Sequence, residues 1–138
     1  PILLGTAAGS FIGVITGLLL AKQAGFEEAI LYSITTKSVT TPVAMAVTET
    51  LGGITSLAAV FVIIAGIGGG LMYEYVFSLL RLQSSIGRGL ALGSASHAIG
   101  TAEAMKSSQL EGSISTIAMV ISAVVVSLIT PGLVSILL

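Results

Sequence analysis

Residues 29–48 read AILYSITTKSVTTPVAMAVT: apolar at both ends, with Lys37 in the middle among Ser33, Thr35, Thr36, Ser38, Thr40 and Thr41, and with Pro42 closing the polar run. A lipid-facing helix does not carry a charge and a row of hydroxyls at its centre. Pro42 also lacks the N–H that a continuing helix needs, and it disfavours helical geometry at Thr41. The segment therefore predicts a helix that breaks at Thr40-Thr41 and restarts with Pro42 at its first position and Thr41 as N-cap. Non-helical backbone at membrane depth is tolerated only inside protein or around a water-filled cavity. A helix that begins there presents unpaired N–H groups and the positive end of its dipole, a ready receptor for a carboxylate.

That the segment lies in a membrane follows from its surroundings. Of the 138 residues 54% are hydrophobic and 8% charged, with a mean hydropathy of +1.10, whereas soluble domains carry about 25% charged residues. Five basic against six acidic residues, none of them Asp, leave no basic patch for nucleic acid. The fold class expected is an all-α polytopic membrane protein, one transmembrane domain over 1–138. Intact spans are read at 1–21, 53–73 and 113–138, broken ones at 29–48 and 89–106, and a short interfacial helix at 74–88. The last span is interrupted late by Pro131 and Gly132. Gly5, Gly9, Gly13 and Gly17 lie on one face of the first span and predict close helix packing. The first residue is not Met, and the chain reads as the inside of a larger protein. If every segment crosses, Lys22, Arg81 and Arg88 share the cytoplasmic side and Lys106 faces the other.

The sequence matches itself at an offset of sixty. TKSVTTPVAM (Thr36 to Met45) lies on SHAIGTAEAM (Ser96 to Met105), placing Lys37 on His97 and Thr41 on Thr101, and TSLAAV from Thr55 lies on STIAMV from Ser115. Each unit is a broken, polar-centred segment followed by an intact span, the pattern that points to a transporter binding site. A broken segment that traverses gives parallel repeats, and one that turns back as a re-entrant hairpin gives inverted repeats. In the second unit Thr101 is the expected N-cap, Gly100 the loose turn, and Glu103 falls in the first turn.

Both helix starts, with Lys37 and His97 beside them, make a site for a small anion, best a monocarboxylate or hydroxy-carboxylate. The plainer readings are that Lys37 snorkels to an interface, that His97 and the hydroxyls join helices, and that Met45 and Met105 pack. Glu49, Glu74 and Glu111 read as solvated loop charges. His97 and Glu103 are the candidates for proton coupling. An enzyme is not expected, since there is no G-x-S-x-G elbow and no Asp to orient His97. No cofactor is called for, and one His without Cys or Asp speaks against a metal site.

Lys37-Ser-Val-Thr-Thr-Pro-Val-Ala, Arg88-Gly-Leu-Ala-Leu-Gly-Ser-Ala-Ser-His-Ala-Ile-Gly-Thr-Ala, and Glu111-Gly before the last span together resemble the LrgB/CidB family of bacterial antiholin-like membrane proteins, which includes the plastid glycolate/glycerate translocator of plants. The likeness runs over essentially the whole chain, which looks like the C-terminal part of a member. It implies transport of small carboxylates such as glycolate, glycerate or pyruvate. Its other implication is an antiholin-like role with a small holin-like membrane partner, controlling murein hydrolase export and lysis. The residues carried over are Lys37, Ser38, Thr40, Thr41, Pro42, Ser96, His97, Gly100 and Thr101; at 103 the family commonly has Arg where this chain has Glu. The expected setting is the bacterial inner membrane, or a plastid envelope for a plant protein, with lipid and a second copy of the chain as neighbours. Transport, regulation of a partner and pore formation are the competing functions.

Overall fold

The computed structural model describes residues 1–138, and the chain is helical throughout. Six helices follow in order: α1 (Ile2–Gln23), α2 (Glu28–Thr35), α3 (Thr41–Leu51), α4 (Thr55–Leu79), α5 (Ser85–Ser107) and α6 (Gln109–Leu137). α1, α4 and α6 are each long and apolar enough to cross a membrane. Their charges, Lys22, Glu74 and Glu111, lie toward one end of each helix, leaving in each an uncharged run long enough to cross hydrocarbon. Pro131 does not end α6, which continues to Leu137.

The polar-centred segments do not run straight. Between α2 and α3 the chain leaves helical geometry over residues 36–40 and then doubles back. The hydroxyls of Thr36 and Thr48 are 2.9 Å apart, and Ser33 Oγ both donates to the Ile54 carbonyl (3.1 Å) and accepts from the Ile54 N–H (2.8 Å). A straight helix would hold Thr36 and Thr48 about 18 Å apart. Gly52, in the left-handed conformation at φ +79°, closes α3. α5 departs from helical geometry at His97, with φ +44° and ψ −124°. Here too the two arms fold together: Leu92 and Ala104 share one buried cluster with Phe77, although a straight helix would separate them by about 18 Å.

The core lies where the first of these bends meets the long helices. Val39, in the 36–40 segment, is wholly buried in a cluster with Val14 of α1, Ala44 of α3, Ala58 and Val62 of α4, and Val126 of α6. Small residues let the helices close around it. A Cβ on Gly89 would come within 2.6 Å of the Glu111 carbonyl, and one on Gly93 would collide with the Ser115 backbone, so the first arm of α5 lies directly on α6. The glycine ridge of α1 packs as its spacing suggests, Gly5 against Leu90, Gly13 against Ser38 and Gly17 against Lys37.

Four expectations are corrected. No separate interfacial helix covers 74–88: residues 74–79 complete α4 and 85–88 open α5, because the apolar run of Tyr, Val, Phe and Leu continues α4's own packing, with Phe77 buried against Leu92. The N-cap of α3 is Thr40, one residue before Thr41, and no side chain caps it; Pro42 still falls in the first turn, where its missing N–H costs no intrahelical bond. The second break falls at His97 instead of Gly100-Thr101. Gly100 serves as the point of closest approach within the bend, where an added Cβ would lie 2.6 Å from the Leu92 carbonyl. Finally, the grouping of charges changes. Arg88 pairs with Glu111 at the start of α6 (3.2 Å), and Lys106 lies beside the same helix start. Lys22 Nζ donates to the Leu137 carbonyl (2.6 Å) at the opposite end of α6, about 40 Å away along the helix. Arg81, Arg88 and Lys106 therefore share one end of the molecule and Lys22 has the other, because the doubled-back segments do not change sides.

Candidate functional site

The two bends meet at mid-depth. Ser122 stands near the middle of α6, about 20 Å from either end, and its Oγ donates to the Ser38 carbonyl (3.1 Å) while lying 2.9 Å from Ser10 Oγ of α1. A main-chain carbonyl freed by the bend is thus satisfied by a buried hydroxyl, as a non-aqueous setting requires. The His97 imidazole faces the same Ser38 backbone, and Lys37 is the charge acting on it.

On one side of this crossing lies a cavity of about 190 Å³ lined by Thr40, Thr41, Pro42, Ser96, His97 and the first residues beyond the second bend, with Val62, Ile63 and Gly66 of α4 as its wall. The start of α3 opens into it, uncapped by any side chain, so the positive end of that helix faces the space. His97 is 2% exposed, and its Nε2 is buried with no hydrogen-bond partner. A buried ring nitrogen left unpaired beside a helix start is costly unless a ligand or water completes it.

Lys37 lies on the other side. With Ser38 it lines a second cavity, of about 380 Å³, against Gly9 and Gly13 of α1 and Leu90, Ala91 and Ser94 of α5. Its ammonium has only long partners, the Gly13 carbonyl at 3.5 Å and Ser38 Oγ at 3.4 Å. The glycine ridge is what admits it: a Cβ on Gly17 would come within 2.9 Å of Lys37 Cε. Lys37 and His97 thus flank one strand of backbone from two neighbouring chambers.

The remaining candidates divide by position. Thr40, Thr41, Pro42, Ser96 and His97 are brought together, and Lys37 with Ser38 adjoins them. Gly100 shapes the bend, and Thr101 Oγ1 lies 2.8 Å from Ser115 Oγ, tying α5 to α6. Thr36 and Ser33 likewise bind helices together. Glu103 stands at the far end of α5, paired with Lys106 at 2.7 Å. Glu111, read from sequence as a solvated charge, is buried at 6% exposure against Arg88, because the doubling back of α5 lays Arg88 on the start of α6. Ser10 and Ser122, which brace the crossing, are the residues that reading the sequence passed over. Their signal was present, since an isolated hydroxyl in an uncharged span commonly bonds across helices.

Comparison with known sequences finds one family model and several bacterial relatives. The family model described as the LrgB-like family matches residues 1–136. An uncharacterized protein of Bacillus subtilis, YxaC, is 44% identical over 95% of this chain and 57% of its own length. A second from the same organism, YwbG, is 36% identical over 97% of this chain and 60% of its own. The holin-like protein CidB of Staphylococcus aureus is 32% identical over 90% of this chain and 58% of its own. The chain therefore spans less than two thirds of the relatives it matches. No solved structure matches it.

Proposed function

This chain belongs to the LrgB-like family, and on that premise we propose that it forms the binding core of a secondary transporter for small organic anions, monocarboxylates or hydroxy-carboxylates of two or three carbons. The observation that carries this reading is the unpartnered, buried His97 Nε2 in one cavity with the uncapped start of α3. A carboxylate there accepts from the α3 backbone and from the imidazole. The volume equals that of about six waters, room for a small acid and little else. Lys37, in the adjoining chamber, draws the anion toward the crossing, and Ser38, Ser96, Thr40 and Thr41 supply hydroxyls. His97 is also the group suited to carry a coupled proton.

In this reading the paired bends are the halves of an inverted repeat: α2, α3 and α4 form one unit, α5 and α6 the other. The hairpins enter from opposite faces and meet at Ser38 and His97, so rocking one unit against the other exposes the site alternately. The test is uptake of labelled glycolate or pyruvate into vesicles that carry the full-length protein. Replacing Lys37 or His97 by Ala removes a charge-assisted hydrogen bond, and apparent affinity should fall by roughly tenfold to a hundredfold. Unchanged uptake in both variants removes the site.

A second reading has its own support. The S. aureus relative is named holin-like, and α1 exposes Leu3, Leu4, Phe11 and Ile12. In that reading the chain regulates a small holin-like partner that packs on this face. Leu4→Gln with Phe11→Gln then abolishes lysis control while Lys37→Ala is silent; the transporter reading requires the reverse.

A further inference from the structure

We propose that the corner between α4 and α5 is a binding site for a zwitterionic aminophospholipid of the phosphatidylethanolamine type. A polar cavity of about 320 Å³ at this corner is lined by Glu74, Phe77, Ser78, Arg81, Gln83 and Arg88. It adjoins an apolar cavity of about 210 Å³ that shares Phe77 and runs along Met72, Tyr73, Val76 and Ala91 toward Gly69 and Ser96. A charged chamber continuous with an apolar groove matches a headgroup with its acyl chain.

Depth agrees with this occupant. α4 has 25 residues and is about 37 Å long, against about 30 Å of hydrocarbon, so Arg81 just beyond it stands at headgroup level. The neighbouring side chains Tyr75, Leu79 and Leu80 are about 70% exposed, as fits a lipid boundary and not an aqueous loop. Arg88 forms an ion pair with Glu111, Nε to carboxylate 3.2 Å, and its guanidinium lies over the Phe77 ring at 5.1 Å, while its side chain still lines the chamber. Arginine pockets at the ends of membrane helices are recurrent phosphate sites.

The sign balance selects among phospholipids. Glu111 already neutralises Arg88, and Glu74 offsets Arg81, so the chamber offers both signs and no net positive charge. An anionic headgroup meets Glu74 as a repulsion. Phosphoethanolamine presents its phosphate to the arginines and an ammonium with N–H donors to Glu74; the quaternary ammonium of phosphatidylcholine has no N–H to give.

The protein is released from vesicles of equimolar phosphatidylethanolamine, phosphatidylglycerol and phosphatidylcholine, and retained lipid is read by native mass spectrometry. The wild type should hold phosphatidylethanolamine about fivefold over each of the others, one surface charge contact's worth. Glu74→Gln should erase the preference over phosphatidylglycerol, and Arg81→Gln should reduce retention of both. Both side chains are exposed, so neither change threatens the fold. Soluble phosphoethanolamine, lacking chains, should not displace the lipid. Equal retention of the three lipids overturns the proposal, as does a wild-type preference for phosphatidylglycerol. Full displacement by phosphoethanolamine or inorganic phosphate also overturns it, leaving a site for a free headgroup-like ion.

Discussion

His97 sits at φ +44°, ψ −124°, a region that glycine usually takes at the first central position of a tight turn. A bulky residue held there stores backbone strain, and such residues cluster at functional sites. The glycines around it are unequal, and their differences are measurable. Gly93→Ala drives a Cβ into the Ser115 backbone, which cannot yield as a side chain can. We expect a loss of about 2–3 kcal/mol or more, seen as a lower Tm in detergent. Gly68→Ala, with nothing within 4 Å of the new methyl, should be neutral or gain about 0.5–1 kcal/mol from helix propensity. If the two variants melt alike, the close packing of α5 on α6 is wrong. The sequence made Lys37 and His97 conspicuous because charge is scarce. It could not separate them into two chambers, since which side of a bent backbone a side chain leaves from depends on dihedral angles that spacing does not encode.

Among the elements, α5 departs most from its sequence reading. Gly100 is the flexible residue in SHAIGT, and the break was expected there, yet His97 carries the bend. The reason lies in packing: Gly100 has to be small because the other arm's Leu92 carbonyl lies against it, so its freedom is used for approach. The first bend was legible because Pro42 forbids a helical hydrogen bond locally, whatever the tertiary context. Buried hydroxyl pairs brace both bent segments, Thr36 with Thr48 across the first bend and Thr101 with Ser115 between α5 and α6. A double-mutant cycle of Thr101→Val and Ser115→Ala should show a coupling of about 1 kcal/mol in stability, because either single change strands a buried hydroxyl and the double change does not. Additive effects would mean that the two helices are not joined at this point. If the chain binds anions as proposed, replacing Thr36 and Thr48 in the same way should also lower glycolate uptake, since it loosens the hairpin that presents Thr40 and Thr41 to the cavity.

For the whole molecule, the doubled-back segments decide which loops share a side. Arg81 and Lys106 lie at one end, Lys22 and Glu49 at the other. The chain has no cysteine, so single cysteines at these positions report sidedness directly. An impermeant maleimide should label positions 81 and 106 from the same face and positions 22 and 49 from the opposite one. Labelling of 81 together with 22 would restore the arrangement in which every segment crosses. With three basic residues at the Arg81 end, the positive-inside rule predicts that positions 81 and 106 are the ones labelled from the cytoplasmic side.

Composition and the uncharged runs by themselves determined that the chain is helical and suited to a bilayer, because burial in hydrocarbon depends on the residues within each span and on little else. The polar residues of 29–48 and 89–106 likewise marked the two segments that depart from straight helical geometry. Tertiary structure alone decided that these segments turn back, that Glu111 is buried on Arg88, and that Lys37 and His97 flank one strand of backbone. Those outcomes rest on contacts between residues distant in the chain, Ser38 with Ser122 and Gly93 with Ser115. Such contacts exist only once the helices are packed, and hydropathy along one strand of sequence carries no record of them.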